Sequence, residues 1–265
     1  MSEAAILNEV PAQDKAPPAA QPVRDRLLAG CSLVARPVGE LAAALPGATA
    51  VFRRHKLDFC CGGAATLAEA AAGRGLDPAA IAAELAALDP ALPDATPSTA
   101  EGLIDLILAR YHAVHRRDLP ELVKLARRVE AVHRGKPGTP EGLAAVLERM
   151  QAELESHMAK EEAILFPLLR AGPDSPMASM AAAPIARMRF EHDEHGAELR
   201  QIAVLTGELT LPEGACGTFR ALYANLARFQ DDLTTHIHLE NNVLFPLFAI
   251  GDMPDGSCRA MTAGH

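Results

Sequence analysis

His157-Met-Ala-Lys-Glu161-Glu-Ala-Ile-Leu-Phe166-Pro167-Leu and His236-Ile-His-Leu-Glu240-Asn-Asn-Val-Leu-Phe245-Pro246-Leu are two copies of one pattern, His-x-x-x-Glu-x-x-(Ile/Val)-Leu-Phe-Pro-Leu. Residues four apart lie one turn above each other on the same helix face, so His157 with Glu161, and His236 with Glu240, can each aim two polar groups inward. The segments upstream correspond as well: Tyr111-His112 and Glu191-His192 each fall in a helix that a break separates from a His-x-x-x-Glu helix. The repeat predicts two helix hairpins of one design related by an approximate two-fold. A four-helix bundle built this way brings four imidazoles (His112, His157, His192, His236) and two carboxylates (Glu161, Glu240) to one central place.

A lone His-x-x-x-Glu pair is ordinarily an exposed partnership worth tenths of a kcal/mol. The recurrence argues otherwise, because burying six such groups unpaired would cost several kcal/mol per ion, and coordination removes that cost. If each glutamate bridges two ions, each ion receives two histidine nitrogens and two carboxylate oxygens. An oxo or hydroxo bridge adds a fifth ligand, and an octahedral ion keeps one position open. Imidazole and carboxylate without thiolate suit iron or manganese better than a closed zinc site, and the open positions favour iron. The Phe166-Pro167 and Phe245-Pro246 steps are read as structural, closing the core and ending or kinking the helix. His195 lies three residues after His192 but is left outside the six ligands, as are His115, His133 and His238. Glu162 and Glu191 are read as supports for imidazole N–H groups or as solvated charges, and are also left outside the site.

Outward from the repeat, breaks at Gly135-Lys-Pro-Gly138, Gly172-Pro-Asp-Ser-Pro176 and Leu211-Pro-Glu-Gly214 divide helices at about 98–133, 140–171, 183–208 and 213–248. Ser98 with Glu101 forms a capping box at the start, so the bundle domain is placed at 98–250. Residues 89–97 carry three prolines and read as a linker. Before it, 25–88 is a small Ala-rich helical unit whose last helix begins at Asp77-Pro78. Residues 1–24 read as a disordered lead and 251–265 as a flexible tail. With 4% aromatic residues, no Trp and abundant Ala, Leu and Glu, the fold class is all-α. A net charge of −9 gives no footprint for nucleic acid or anionic lipid. No stretch is long and apolar enough to span a membrane. Five cysteines, two of them adjacent, do not make a secreted disulfide framework, and a reducing cytoplasm fits better.

Within the small unit, Cys60-Cys61-Gly62-Gly63 places two thiols on a turn whose backbone can approach another group closely. Such a pair can serve as an easily reduced redox switch, hold iron in transit, or simply pack as two small buried hydrophobes. Function is favoured, making Cys60 and Cys61 the candidates for thiol or iron transfer. Cys31, Cys216 and Cys258 stand alone and are read as incidental.

These segments together (Ala-Arg-Tyr-His112-Ala-Val-His-Arg, Ser-His157-Met-Ala-Lys-Glu161-Glu, Glu-His192-Asp-Glu, His236-Ile-His-Leu-Glu240-Asn-Asn, and Leu-Asp58-Phe59-Cys60-Cys61-Gly62-Gly63) resemble the hemerythrin-like domains. Over nearly the whole chain they resemble the ScdA/YtfE/DnrN family of di-iron iron–sulfur cluster repair proteins. The resemblance implies two non-haem iron ions, carboxylate- and oxo- or hydroxo-bridged, on the six residues named above. It also implies repair of clusters damaged by nitrosative or oxidative stress, by iron donation, by nitric oxide binding and reduction, or both. The partners implied are damaged iron–sulfur proteins, nitric oxide or oxygen as small ligand, and a second copy in a homodimer. The last helix departs from oxygen-carrying hemerythrins, which use a further histidine and another carboxylate spacing, and this speaks against oxygen transport. A hemerythrin-like oxygen or nitric oxide sensor, or an iron-buffering module, is the alternative.

Overall fold

The computed structural model describes residues 32–88 and 96–248, and every regular element among them is helical. The lead 1–24, most of the linker 89–97, the tail 251–265, Cys31 and Cys258 lie outside the described residues. Four short helices come first: α1 (Val38–Ala44), α2 (Ala48–Arg54), α3 (Leu67–Ala72) and α4 (Pro78–Ala86). Asp77 caps α4 as the sequence suggests, accepting from Ala79 N at 2.9 Å. A capping box that the sequence reading passed over starts α3, with Thr66 Oγ1 accepting from Glu69 N and the Glu69 carboxylate accepting from Thr66 N. Leu41, Phe52, Phe59, Leu67, Ile81 and Leu85 form the core of this unit.

The bundle follows as four long helices. α5 runs over residues 100–133, α6 over 143–170, α7 is Ala182–Leu205, and α8 spans 217–248 with a 3₁₀ turn at its end. The cap of α5 is Thr99 and not Ser98: Thr99 Oγ1 accepts from Gly102 N at 3.2 Å. Pro97 folds back onto Gly102 so closely that a Cβ there would stand 2.8 Å from the proline ring. α6 begins later than its sequence pattern because Gly142 turns left-handed (φ 89°) immediately before it. α5 packs along α6 and α8, and α6 along α7, while α1 lies on the C-terminal part of α8.

Three of the long helices widen by one residue. Ala113 N bonds to Leu108 O, Phe166 N to Glu161 O and Phe245 N to Glu240 O, each spanning five residues where an α-helix spans four. In α6 and α8 this wide turn comes just before the Phe-Pro step. Proline lacks the donor for a regular turn and clashes with the carbonyl four residues back, so widening relieves both problems and the chain stays helical to Arg170 and Phe248. Apolar side chains fill the bundle on both sides of the repeated motifs: Leu122, Leu147, Leu154, Leu226 and Leu233 on one, Leu103, Ile107, Phe166, Leu244 and Phe245 on the other. No helix among the described residues is long and apolar enough to cross a membrane.

Candidate metal centre

Between those apolar plugs lie His112, His157, Glu161, His192, His236 and Glu240, each no more than 1% exposed. They fall into two sets, His112 with His236 and His157 with His192, and both glutamates belong to both sets. In each histidine pair the Nε2 atoms face each other at 3.2 Å. Glu161 directs Oε1 at His157 Nε2 and Oε2 at His112 Nε2, both at 3.3 Å. Glu240 does the same on the other side, with Oε2 3.0 Å from His192 and Oε1 3.2 Å from His236. Both Glu161 oxygens and Glu240 Oε2 nevertheless lack any well-directed hydrogen bond. Carboxylate and imidazole atoms that converge this closely, fully buried and with three of the four carboxylate oxygens unsatisfied, fit two shared cations better than they fit hydrogen bonding. Two imidazole nitrogens and two carboxylate oxygens at each position match the donor set of an N/O-ligated transition metal.

The internal two-fold extends to the groups behind the imidazoles. His112 Nδ1 meets Glu162 Oε1 at 2.8 Å, and its counterpart His192 Nδ1 meets Asn241 Oδ1 at 2.9 Å, Glu162 and Asn241 each being the residue after a bridging-position glutamate. His157 Nδ1 meets Glu191 Oε2 at 3.0 Å. The counterpart of Glu191 is Tyr111, which instead stacks on the His236 ring at 5.6 Å, and His236 Nδ1 has no partner. Each repeated Phe covers a histidine of another helix, Phe166 over His112 and Phe245 over His192.

This asymmetry sets the electrostatics. Burial pushes His157 down, but the Glu161 and Glu191 carboxylates outweigh it and lift the imidazole to about 10. His236, buried with no acceptor at Nδ1, is held below its ordinary value. Burial would raise the Glu240 carboxyl, yet His236 and His192 keep it well below the usual range.

Cys60 and Cys61 sit against this cluster on the small unit's side. Their sulfurs are 3.5 Å apart as free thiols, and Cys61 Sγ donates to His192 O at 3.3 Å. They lie in the loop between α2 and α3, and Cys60 is buried in the bundle's apolar core. Burial and the neighbouring thiol and carboxylate all act on Cys60, Cys61 most strongly, and push its thiol up. Asn241 Nδ2 donates to Cys60 O at 3.0 Å, so one amide holds both His192 and the cysteine turn. The two glycines serve close approach: a Cβ on Gly63 would stand 2.9 Å from Phe59 O and 3.0 Å from Asn242 Oδ1. Asp58 Oδ1 accepts from Cys61 N and Gly62 N, both at 3.0 Å, fixing the turn.

Of the other histidines, His195 packs edge-on to His157 at 5.3 Å and His115 lies 5.3 Å from His236, neither within the cluster. His133 and His238 also lie outside it. Glu162, Glu191, Asn241 and Asp58 are the site residues that the sequence reading set aside or missed.

Residues 103–248 match the hemerythrin HHE cation-binding domain, and residues 34–89 match the ScdA N-terminal domain, a domain of unknown function. Proteins named iron–sulfur cluster repair protein YtfE are close relatives. That of Musicola paradisiaca is 50% identical over 212 residues, 79% of this chain and 94% of its own length. That of Cronobacter sakazakii is 48% identical over 219 residues, 82% of this chain and 97% of its own. That of Citrobacter koseri is 47% identical over 219 residues, 82% and 98% of the two chains. With about half of the aligned residues shared over nearly the full length of these proteins, the chain belongs to the YtfE family of iron–sulfur cluster repair proteins, built from a ScdA N-terminal unit and a hemerythrin HHE domain.

Proposed function

We propose that the chain repairs damaged iron–sulfur clusters by holding two iron ions for delivery, His112 and His236 binding one, His157 and His192 the other, with Glu161 and Glu240 bridging both. The observation that carries this reading is the pair of two-histidine sets sharing both glutamates in a sealed core. Bound iron supplies exchangeable metal and open coordination positions. The protein's part is to fix the imidazoles: Glu162, Glu191 and Asn241 hold the Nδ1 side of three of them, leaving each Nε2 aimed inward. The cysteine turn, pinned to the backbone carbonyl of His192, supplies thiols one residue layer from the cluster, which supports a role for Cys60 and Cys61 in handing iron to a client.

The test is anaerobic recovery of activity by a nitric-oxide-damaged [4Fe–4S] enzyme on adding the iron-loaded chain. Recovery is expected with the natural sequence, to be abolished by His157→Ala and reduced by Cys60→Ser/Cys61→Ser. No recovery from protein carrying its iron would reject repair by delivery. Nitrous oxide formation with iron retained would replace delivery by reduction of nitric oxide at the same six residues.

A further inference from the structure

We propose that Glu153, His195 and Glu198 form a third cation site, for one divalent first-row ion such as Fe²⁺ or Mn²⁺, separate from the dinuclear cluster. One ring nitrogen of His195 and one carboxylate oxygen from each glutamate lie within 4.8 Å of one another. Glu153 precedes His157 by one turn of α6, and His195 and Glu198 follow His192 by one and two turns of α7, so the three groups gather one helical layer beyond the cluster.

His195 is 2% exposed and its Nε2 has no hydrogen-bond partner. Its Nδ1 stands 3.5 Å from Glu198 Oε2, too far for a strong hydrogen bond. A buried imidazole left so poorly satisfied beside two carboxylates is a ligand atom without its cation. Partial desolvation and the facing Glu198 carboxylate push the exposed Glu153 carboxyl up, against the pull of Arg149 and His195, so a cation between the two glutamates would relieve a like-charge contact. Of the neighbouring cations only Arg149 reaches the group, and it takes the Glu198 oxygen that faces away from His195 Nδ1. Arg149 takes Glu198 Oε1 at 3.1 Å, and Lys160 and Arg187 take Glu191 Oε1 at 2.7 and 2.6 Å. A cavity of about 350 Å³ lined by Glu153, Ser156, Lys160, Glu191 and His195 opens onto the group. Imidazole with two carboxylates is a donor set for iron or manganese.

The internal repeat provides a comparison. The counterpart of His195 is His115, also without hydrogen-bond partners, but enclosed by the rings of Tyr111, Phe229 and His236. The positions matching Glu153 and Glu198 carry the shorter Asp232 and Asp118, which Arg110 binds at 2.6 and 3.1 Å and Arg117 at 2.7 Å. There arginines hold both aspartates, whereas in the His195 half Arg149 holds Glu198 Oε1 alone and Glu198 Oε2 stays turned towards the imidazole.

The inference stands apart from the repair function, and its test reads binding alone. Full-length protein carrying its two irons is titrated with Mn²⁺, the free ion being read from its six-line electron paramagnetic resonance signal and the iron content checked afterwards. One further Mn²⁺ per chain is expected, with Glu153→Gln and His195→Ala each weakening it at least tenfold and retaining both irons. Glu153 is exposed, so its variant decides the matter if His195→Ala fails to fold or to keep iron. No uptake of Mn²⁺ beyond the irons at millimolar concentration, or uptake unchanged in a folded variant, overturns the proposal.

Discussion

Four imidazoles in near-symmetric positions do not have equal surroundings, and the inequality is decided by single residues. Glu191 accepts from His157 Nδ1, whereas its counterpart Tyr111 offers His236 only a ring face. In the metal-free chain the Glu161 carboxylate, helped by Glu191, makes His157 keep its proton to about pH 10 in place of 6.5. The sign follows from the raised value: the stability this proton contributes is complete below pH 6.5 and is lost as pH rises through 10. Metal must displace the same proton, so affinity climbs with pH across that window. Glu191→Gln should weaken iron binding by about 10- to 100-fold, the usual effect of removing a partner behind a metal-bound histidine. It should also flatten the pH dependence. Tyr111→Phe should leave both unchanged. Competition with a chromogenic chelator at several pH values measures the two variants side by side, and equal losses would show that the Nδ1 contact does not tune the site.

The wide turns show what an element adds beyond its residues. In α8 the turn over Leu239–Leu244 lets three consecutive side chains all find buried partners. Glu240 enters the cluster, Asn241 joins His192 to Cys60 O, and Asn242 donates to Phe59 O at 2.9 Å. Asn241→Leu keeps the volume but leaves a histidine donor and a backbone carbonyl unsatisfied, at a cost of about 1–3 kcal/mol for each group. Denaturant unfolding should show a loss of that order, and Cys61 should react faster with a thiol reagent as the turn loosens. Unchanged reactivity would mean that Asp58 alone fixes the cysteines. The helices and the meeting of six polar residues were legible because the motif repeats and because period-four spacing has one geometric meaning. The wide turns were not, since two of them depend on how Pro167 and Pro246 are accommodated against the rest of the bundle and the third, at Ile107–His112, has no proline to announce it. Asn241 was hidden by its place beside Glu240, yet it is one of the positions where the two repeats differ, Glu162 in one and Asn241 in the other. That difference follows the docking: only the amide can accept from a histidine and donate to Cys60 O at once.

At the scale of the whole molecule, the small unit and the bundle meet over His238. Its ring packs edge-on against Phe59 at 5.4 Å and its Nδ1 accepts from Asn242 Nδ2 at 3.0 Å, which requires the neutral imidazole. Burial, helped by the Arg53 cation, lowers this histidine to about 4. A depressed value means that the stability is complete above the ordinary 6.5 and is lost as pH falls through 4, at most about 3 kcal/mol if the unit detaches with the ring fully solvated. Acid should therefore part the two units before it unfolds either core, because the cores are built of apolar side chains, Phe52, Leu67 and Ile81 of one and Leu147, Leu154 and Leu226 of the other, that carry no titrating group. Hydrogen exchange read by mass spectrometry between pH 6.5 and 4, corrected for the intrinsic rate, should show residues 57–63 opening first. His238→Gln keeps an acceptor for Asn242 without a proton to gain, and should hold that segment closed over the same range. Iron content followed in both proteins separates this opening from loss of metal at the cluster: matching exchange profiles in the two proteins would assign the acid sensitivity to the metal-binding histidines and remove His238 from the account.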